Sequence, residues 1–267
     1  MSITKEYINF NKKYAKKYGK DRTIVLIQVG SFHESYATET EGPNLRALSS
    51  LLNIVVTKKS KAIPEVSIKN PLMLGFPSVA LNKFLNILID NNFTVVIIDQ
   101  VTPPPKPKRE VTGVFSPGTY IDRNIKEDNN YIVSLFIDEE KQLYKENKVI
   151  ISGLSAIDLS TGKCHIYQTF SKADDPLFAL DDSLRFINSY NPREILISSS
   201  KKISKTDKEI FNNLSYNDLL KYLNIHNKIV HLVDKEQLLE KDKISFQNEF
   251  LGKIYNNDTM LSSIEYL

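Results

Sequence analysis

The sequence predicts an α/β protein of two domains built on mixed sheets, and three observations carry that expectation. In the first half, continuous apolar runs rich in β-branched residues alternate with amphipathic helical stretches. In the second half, three strand patterns joined by short polar turns precede the first helix. Between them Asp122 to Asn130 is polar and charged, the best boundary in the chain. With 267 residues, 41% of them hydrophobic, each domain can own a core.

Ile3, Tyr7, Phe10, Tyr14 and Tyr18 recur at three- and four-residue steps and predict a helix that Gly19 can end. Thr23 to Val29 reads as a buried strand that delivers Gly30-Ser31-Phe32-His33-Glu34 to an edge or rim. Pro43 to Leu52 predicts a helix and Asn53 to Thr57 the next strand. An extended segment follows over Pro71 to Pro77, then a helix capped by Ser78, then a buried strand over Phe93 to Val101. Pro103-Pro104-Pro105-Lys106-Pro107 can only be an exposed loop, and Val111 to Phe115 with the Pro117-Gly118-Thr119 turn closes the unit.

Tyr131 to Ile137, Val149 to Asp158 and Lys163 to Phe170 predict an antiparallel meander. A helix over Pro176 to Tyr190 breaks at Pro192 before a strand over Glu194 to Ser198. Three strands, helix, strand is how a ribonuclease-H-like sheet opens, and also how many other mixed α/β domains open. Helical stretches near Asp207 to Asn213 and Tyr216 to Leu223 lead to a short strand, His231 to Val233. From Gln237 the pattern is helical and stops abruptly at Leu267, which reads as a cut.

Composition excludes several classes. No apolar run is long enough to span a bilayer, and the first residues lack a secretory core, so an intracellular protein with no membrane partner is expected. One cysteine, Cys164, and four scattered histidines give neither a disulfide framework nor zinc-ligand spacing. No nucleophile elbow or phosphate-cradling glycine loop occurs among nine glycines, so neither a metal nor a cofactor is expected in this chain. The net charge of +3 is small, but basic residues cluster at Lys12 to Arg22, at Lys58, Lys59 and Lys61, and at Lys106, Lys108 and Arg109. Such clusters could track a phosphate backbone, although from charge alone a solvated lysine face is the commoner explanation.

Phe32 and Glu34 lie two residues apart at a strand end, so on an extended chain both can enter one groove while His33 points to the other side, where packing is its commoner fate. Taken alone, Phe32 would more often be a core aromatic and Glu34 a solvated edge carboxylate. Asp158 could stand where ribonuclease-H-like nucleases hold a metal, but its acidic companions are missing and a hairpin aspartate is the better reading.

Gly30-Ser31-Phe32-His33-Glu34 resembles the Gly-Asp-Phe-Tyr-Glu of the MutS mismatch-recognition domain. Val56-Thr57-Lys58-Lys59, Leu74-Gly75-Phe76-Pro77, Asp99-Gln100 and Pro117-Gly118-Thr119 are similar, in order and spacing, to further motifs of that domain, as is the helix around Lys16-Lys17-Tyr18. The second half is similar to the family's connector through Ala156-Ile157-Asp158-Leu159-Ser160-Thr161-Gly162 and Asn191-Pro192-Arg193-Glu194-Ile195.

The resemblance implies a mismatch-recognition domain over residues 1–122, a ribonuclease-H-like connector over 130–243, and the start of the core and lever region over 244–267. It implies that Phe32 is an aromatic wedge in the minor groove and Glu34 the carboxylate beside it. His33, Lys58, Lys59, Lys61, Lys106, Lys108 and Arg109 become candidate backbone contacts. A mispaired base stacks poorly, so a wedge displaces it for less than a paired step costs. A carboxylate repels the phosphates of normal duplex yet can hydrogen-bond a displaced base, which penalises the wrong partner. The implied partners are duplex DNA with mismatches or small loops, a second copy of the full-length protein, and downstream repair proteins through the connector. ATP and magnesium would belong to an ATPase region outside this chain, and no enzymatic activity is expected of the chain itself. Ser31 and His33 depart from the family's aspartate and tyrosine, spellings that with an AT-rich composition resemble divergent relatives in giant viruses and some mitochondria. The rival readings are a structure-specific nuclease using the second domain, and a DNA or protein scaffold without mismatch reading.

Overall fold

In a computed structural model of the chain the described residues are 2–121, 129–141, 148–172, 174–211, 214–234, 236, 238, 241 and 243–255. The chain divides into two compact units, Met1–Asn124 and Ile125–Leu267. The polar boundary read at Asp122 to Asn130 falls almost wholly outside the described residues.

In the first unit, α1 (Ile3–Tyr18) starts where Ser2 accepts from the Lys5 amide and stops at Gly19, whose φ of +104° suits glycine. Strands β1 (Thr23–Val29) and β5 (Thr94–Gln100) run parallel at the centre of a six-stranded sheet. The antiparallel β2 (Phe32–Ala37), β4 (Leu72–Pro77), β3 (Thr57–Lys58) and β6 (Arg109–Phe115) complete the order β3-β4-β2-β1-β5-β6. Val25, Ile27, Val96, Ile98 and Tyr36 face Tyr7 and Ile8 of α1. Ile24, Leu26, Val95 and Ile97 face α2 (Leu45–Leu52) and α3 (Leu81–Asp90) through Leu48, Leu52, Leu85 and Leu88. Burial on both faces is why β1 and β5 read as unbroken apolar runs, and each such side chain removed from water contributes about 1.5–3 kcal/mol.

Two expectations shorten here. Asn53 is the left-handed cap of α2, at φ +53°, so the strand expected from Asn53 is confined to Thr57–Lys58. Ser78 opens a single 3₁₀ turn, Ser78–Ala80, rather than capping α3 with its side chain.

In the second unit, β7 (Tyr131–Lys141), β8 (Lys148–Asp158) and β9 (Cys164–Phe170) form the antiparallel meander. After α4 (Phe178–Tyr190), β10 (Glu194–Ser198) pairs parallel to β7, and β11 (Ile229–Leu232) parallel to β10. The order is β11-β10-β7-β8-β9. One face packs Val133, Leu135, Leu154, Ile195 and Ile197 against Leu180 and Ile187 of α4 and Leu219 of α5 (Tyr216–Tyr222). The helix expected near Asp207 is absent among the described residues there. Asp207 accepts from the Ser204 amide in a turn, and Phe211, bridged to Leu214, plugs the core. A last helix, α6, spans Ile244–Tyr255. Among the described residues no helix is long and apolar enough to cross a membrane.

Candidate nucleic-acid interface

Strand β1 turns back on itself through Gly30 and Ser31, with Val29 opposite Phe32. A two-residue hairpin needs a positive φ at its first position, and Gly30, at +61°, supplies it without strain. The pentapeptide expected at an edge or rim therefore forms the tip and return strand of a hairpin between central strands, at one end of the sheet. The root of the hairpin is clamped. Gln28 donates through Nε2 to the Gly30 carbonyl at 3.1 Å and accepts from the Gln100 amide at 2.8 Å. The Gln100 side-chain oxygen, in the orientation that suits its neighbours, accepts from the Gly30 amide at 3.2 Å and Arg109 Nη2 at 3.0 Å. At the tip, the Ser78 amide donates to the Ser31 carbonyl at 2.8 Å.

Phe32 is 44% exposed on this tip. Glu34, half-buried, shares its face of β2, and next on that face comes the buried Tyr36, whose hydroxyl donates to Glu34 Oε2. His33 faces the other way and is 3% exposed. Its Nε2 lies 3.0 Å from Asp99 Oδ1, and its ring stacks on Phe76. Expected as a candidate backbone contact, His33 has its ring inside, where packing was the commoner fate. Arg109 is likewise engaged internally, donating through Nε to the Gln28 carbonyl at 3.0 Å, with Nη1 3.5 Å from Glu6 Oε2 and only 12% of its side chain exposed.

The remaining lysines divide between the two ends of the sheet. Gln100 pairs with Arg109, so the loop carrying Lys106 and Lys108 hangs at the end where Phe32 projects; Lys106 is exposed, and Lys108 pairs with Glu110 at 2.5 Å. Lys58 opposes Leu72, whereas Phe32 opposes Pro77. Five steps along β4 thus separate them, about 17 Å at strand rise. Lys58 donates to the Pro64 carbonyl at 2.6 Å, and Lys59 and Lys61 follow in a loop organised by Asn70. That buried amide accepts from the Ser60 amide at 2.7 Å and donates to the carbonyls of Ile63 and Glu65.

Tyr36, Asn70 and the clamping Gln28 are site residues that sequence reasoning missed. Continuing the period of two past Glu34 would have found Tyr36; nothing in the sequence singles out Asn70.

Formal charge is divided unevenly. Residues 1–124 hold 17 basic and 10 acidic side chains, net +7, and the rest 18 and 22, net −4, which together give the chain's +3. In the second unit Asp158 is 1% exposed, with Oδ1 accepting from the Asn130 and Ser160 amides and the Ser160 hydroxyl, and Oδ2 from the Thr161 hydroxyl. Burial works against the charge, but these donors outweigh it and hold the carboxyl well below the usual carboxylate range. The neighbours of Asp158 are hydroxyls and amides, and among the described residues no three His, Cys, Asp or Glu side chains cluster as metal ligands.

Residues 7–124 match the family model of MutS domain I. Over 263 residues, 96% of this chain and 23% of the relative, the sequence is 36% identical to a putative DNA mismatch repair protein, mutS homolog L359, of Acanthamoeba polyphaga mimivirus. It is 29% identical to the DNA mismatch repair protein MutS of Petrotoga mobilis over 93% of this chain and 27% of that one. It is 32% identical to the MutS of Prochlorococcus marinus over 76% and 21%. The chain spans about a quarter of the length of the curated relatives it matches. A solved family B DNA polymerase from Pyrobaculum calidifontis aligns with 82% of this chain and 34% of its own at 10% identity and a TM-score of 0.27, a likeness too slight to carry a fold.

Proposed function

Because the chain belongs to the MutS family, we propose that it reads mispaired or unpaired bases in duplex DNA, with Phe32 as the wedge and Glu34 as the carboxylate beside it. The observation that carries this is a half-exposed phenylalanine on a clamped hairpin tip with a carboxylate on the same strand face. An aromatic ring pushed into the minor groove must unstack a base step, which costs a few kcal/mol for paired bases and least for a base without a good partner. The clamp through Gln28, Gln100 and Arg109 matters because a tip that yields would not transmit that load. Glu34 sharpens the choice by repelling phosphates where the duplex refuses to kink. Lys106 beside the tip and Lys58, Lys59 and Lys61 at the far end of the sheet hold the backbone without reading sequence.

The second unit serves as a connector that passes DNA engagement to an ATPase beyond this chain. Its strand order, a three-strand antiparallel meander with two further strands parallel to the first, supports a ribonuclease-H-like reading. Full-length relatives would act as pairs of subunits using ATP and magnesium.

The test is the affinity for a duplex with one G·T mispair or one unpaired base against the matched duplex, at fixed low salt, for wild type and Phe32→Ala. A preference of tenfold or so that disappears in Phe32→Ala supports the wedge, since a mismatched step shifts binding by about 1–3 kcal/mol. Retention of the preference in Phe32→Ala would remove Phe32 from the role.

A further inference from the structure

Glu34 stands between two neighbours that no Phe-x-Glu pattern contains. On its own strand, Tyr36 donates its hydroxyl to Glu34 Oε2. Tyr36 is 3% exposed and seated edge-on against the fully buried Tyr7, with ring centroids 5.4 Å apart, so its hydroxyl is anchored in the core. Burial first, and then the adjacent Glu34, push the phenol well above the ordinary tyrosine range, so it remains a donor at any working pH. Across the sheet, Gly75 is in register with Glu34. A methyl group built there would stand 2.8 Å from Glu34 Cγ and 3.0 Å from the His33 carbonyl oxygen, so the glutamate stem crosses β4 through the space that glycine leaves.

We propose that Tyr36 and Gly75 are positioning residues that fix the Glu34 carboxylate beside the wedge, making discrimination against matched duplex depend on a hydroxyl held in the core behind the reading surface. This rests on the reading of Phe32 and Glu34 given above. A free glutamate on a strand end would swing away from a matched base pair or a phosphate and soften the penalty it exists to impose. Held by the Tyr36 hydroxyl and the Gly75 floor, it cannot yield. Ordering one rotamer-rich side chain in advance changes binding about three- to tenfold, which sets the size of the effect.

The test uses the whole chain and Tyr36→Phe, which keeps the ring and its packing against Tyr7. The expected result is a three- to tenfold fall in the affinity ratio for unpaired-base over matched duplex, with a melting temperature only about 2–4 °C lower. In a Glu34→Ala background the same substitution leaves the ratio where it was. An unchanged ratio in Tyr36→Phe, or an equal fall without Glu34, overturns the proposal. Three-bond carbon couplings along the Glu34 side chain, measured without DNA, provide a separate readout. One rotamer in wild type and averaging in Tyr36→Phe supports the tether, and identical couplings in both overturn it. Wild type binding both duplexes equally would sink the wedge reading instead, and the couplings would still decide the tether.

Discussion

At the scale of single residues, exposure separates the groups that can meet DNA from those that hold the fold. Phe32 is 44% exposed, so Phe32→Ala is expected to cost less than about 1 kcal/mol in a urea titration while acting on duplex discrimination. Asp158 is the opposite case. Its folded pKa lies below the unfolded value of about 4, so its contribution to stability is present above that pH and is lost as pH falls through the folded value. Asp158→Asn is therefore expected to lose about 1–3 kcal/mol at pH 7 and progressively less below pH 4. Urea titrations of both proteins at pH 7 and pH 3 check the sign, and a gap of unchanged size at pH 3 would refute it. The candidate wedge and its carboxylate were legible because the Phe-x-Glu spelling fixes them on one face of a strand. The inward direction of His33 was legible from the same alternation, but its partner Asp99 and the interior role of Arg109, which depends on Gln28 and Glu6, were not, because the fold brings those residues from other elements.

Among the elements, the hairpin and the loop after β3 are the parts whose geometry carries the proposal. Gly75→Ala forces a methyl against the Glu34 stem and the His33 carbonyl, and is expected to destabilise by about 1–3 kcal/mol. Combining it with Glu34→Ala should recover part of that loss, since one of the two obstacles is gone; strictly additive melting shifts would show that the stem does not lie there. Asn70→Ala removes a buried amide that serves the Ser60 amide and the carbonyls of Ile63 and Glu65. A loss of about 1–3 kcal/mol is expected, with faster amide exchange confined to residues 59–70. Strands β1, β5, β8 and β10 were readable from the sequence because burial leaves an unmistakable apolar pattern. The return strand β2 was hidden because Phe32, Glu34 and Ser35 break that pattern, and β3 shrank because Asn53 ends α2 in a left-handed turn.

For the whole molecule, charge and topology point the same way. Under the proposed function, the net +7 of residues 1–124 against −4 in the remainder would direct a phosphate backbone to the first unit. Lys61→Ala and Lys106→Ala should each lower the salt slope of duplex binding by about 1, whereas Arg109→Ala should leave the slope unchanged and reduce stability. The sequence announced an α/β chain of two parts, but register and strand order depend on distant pairings, such as Thr23 of β1 with Thr94 of β5, that no local pattern encodes. What remains to be watched directly is the wedge entering the helix. A duplex carrying 2-aminopurine beside an unpaired base reports unstacking by a rise in fluorescence when protein binds. With Phe32 as the wedge, the rise accompanies binding of wild type and is missing for Phe32→Ala at saturation; an equal rise with both proteins would contradict insertion of Phe32.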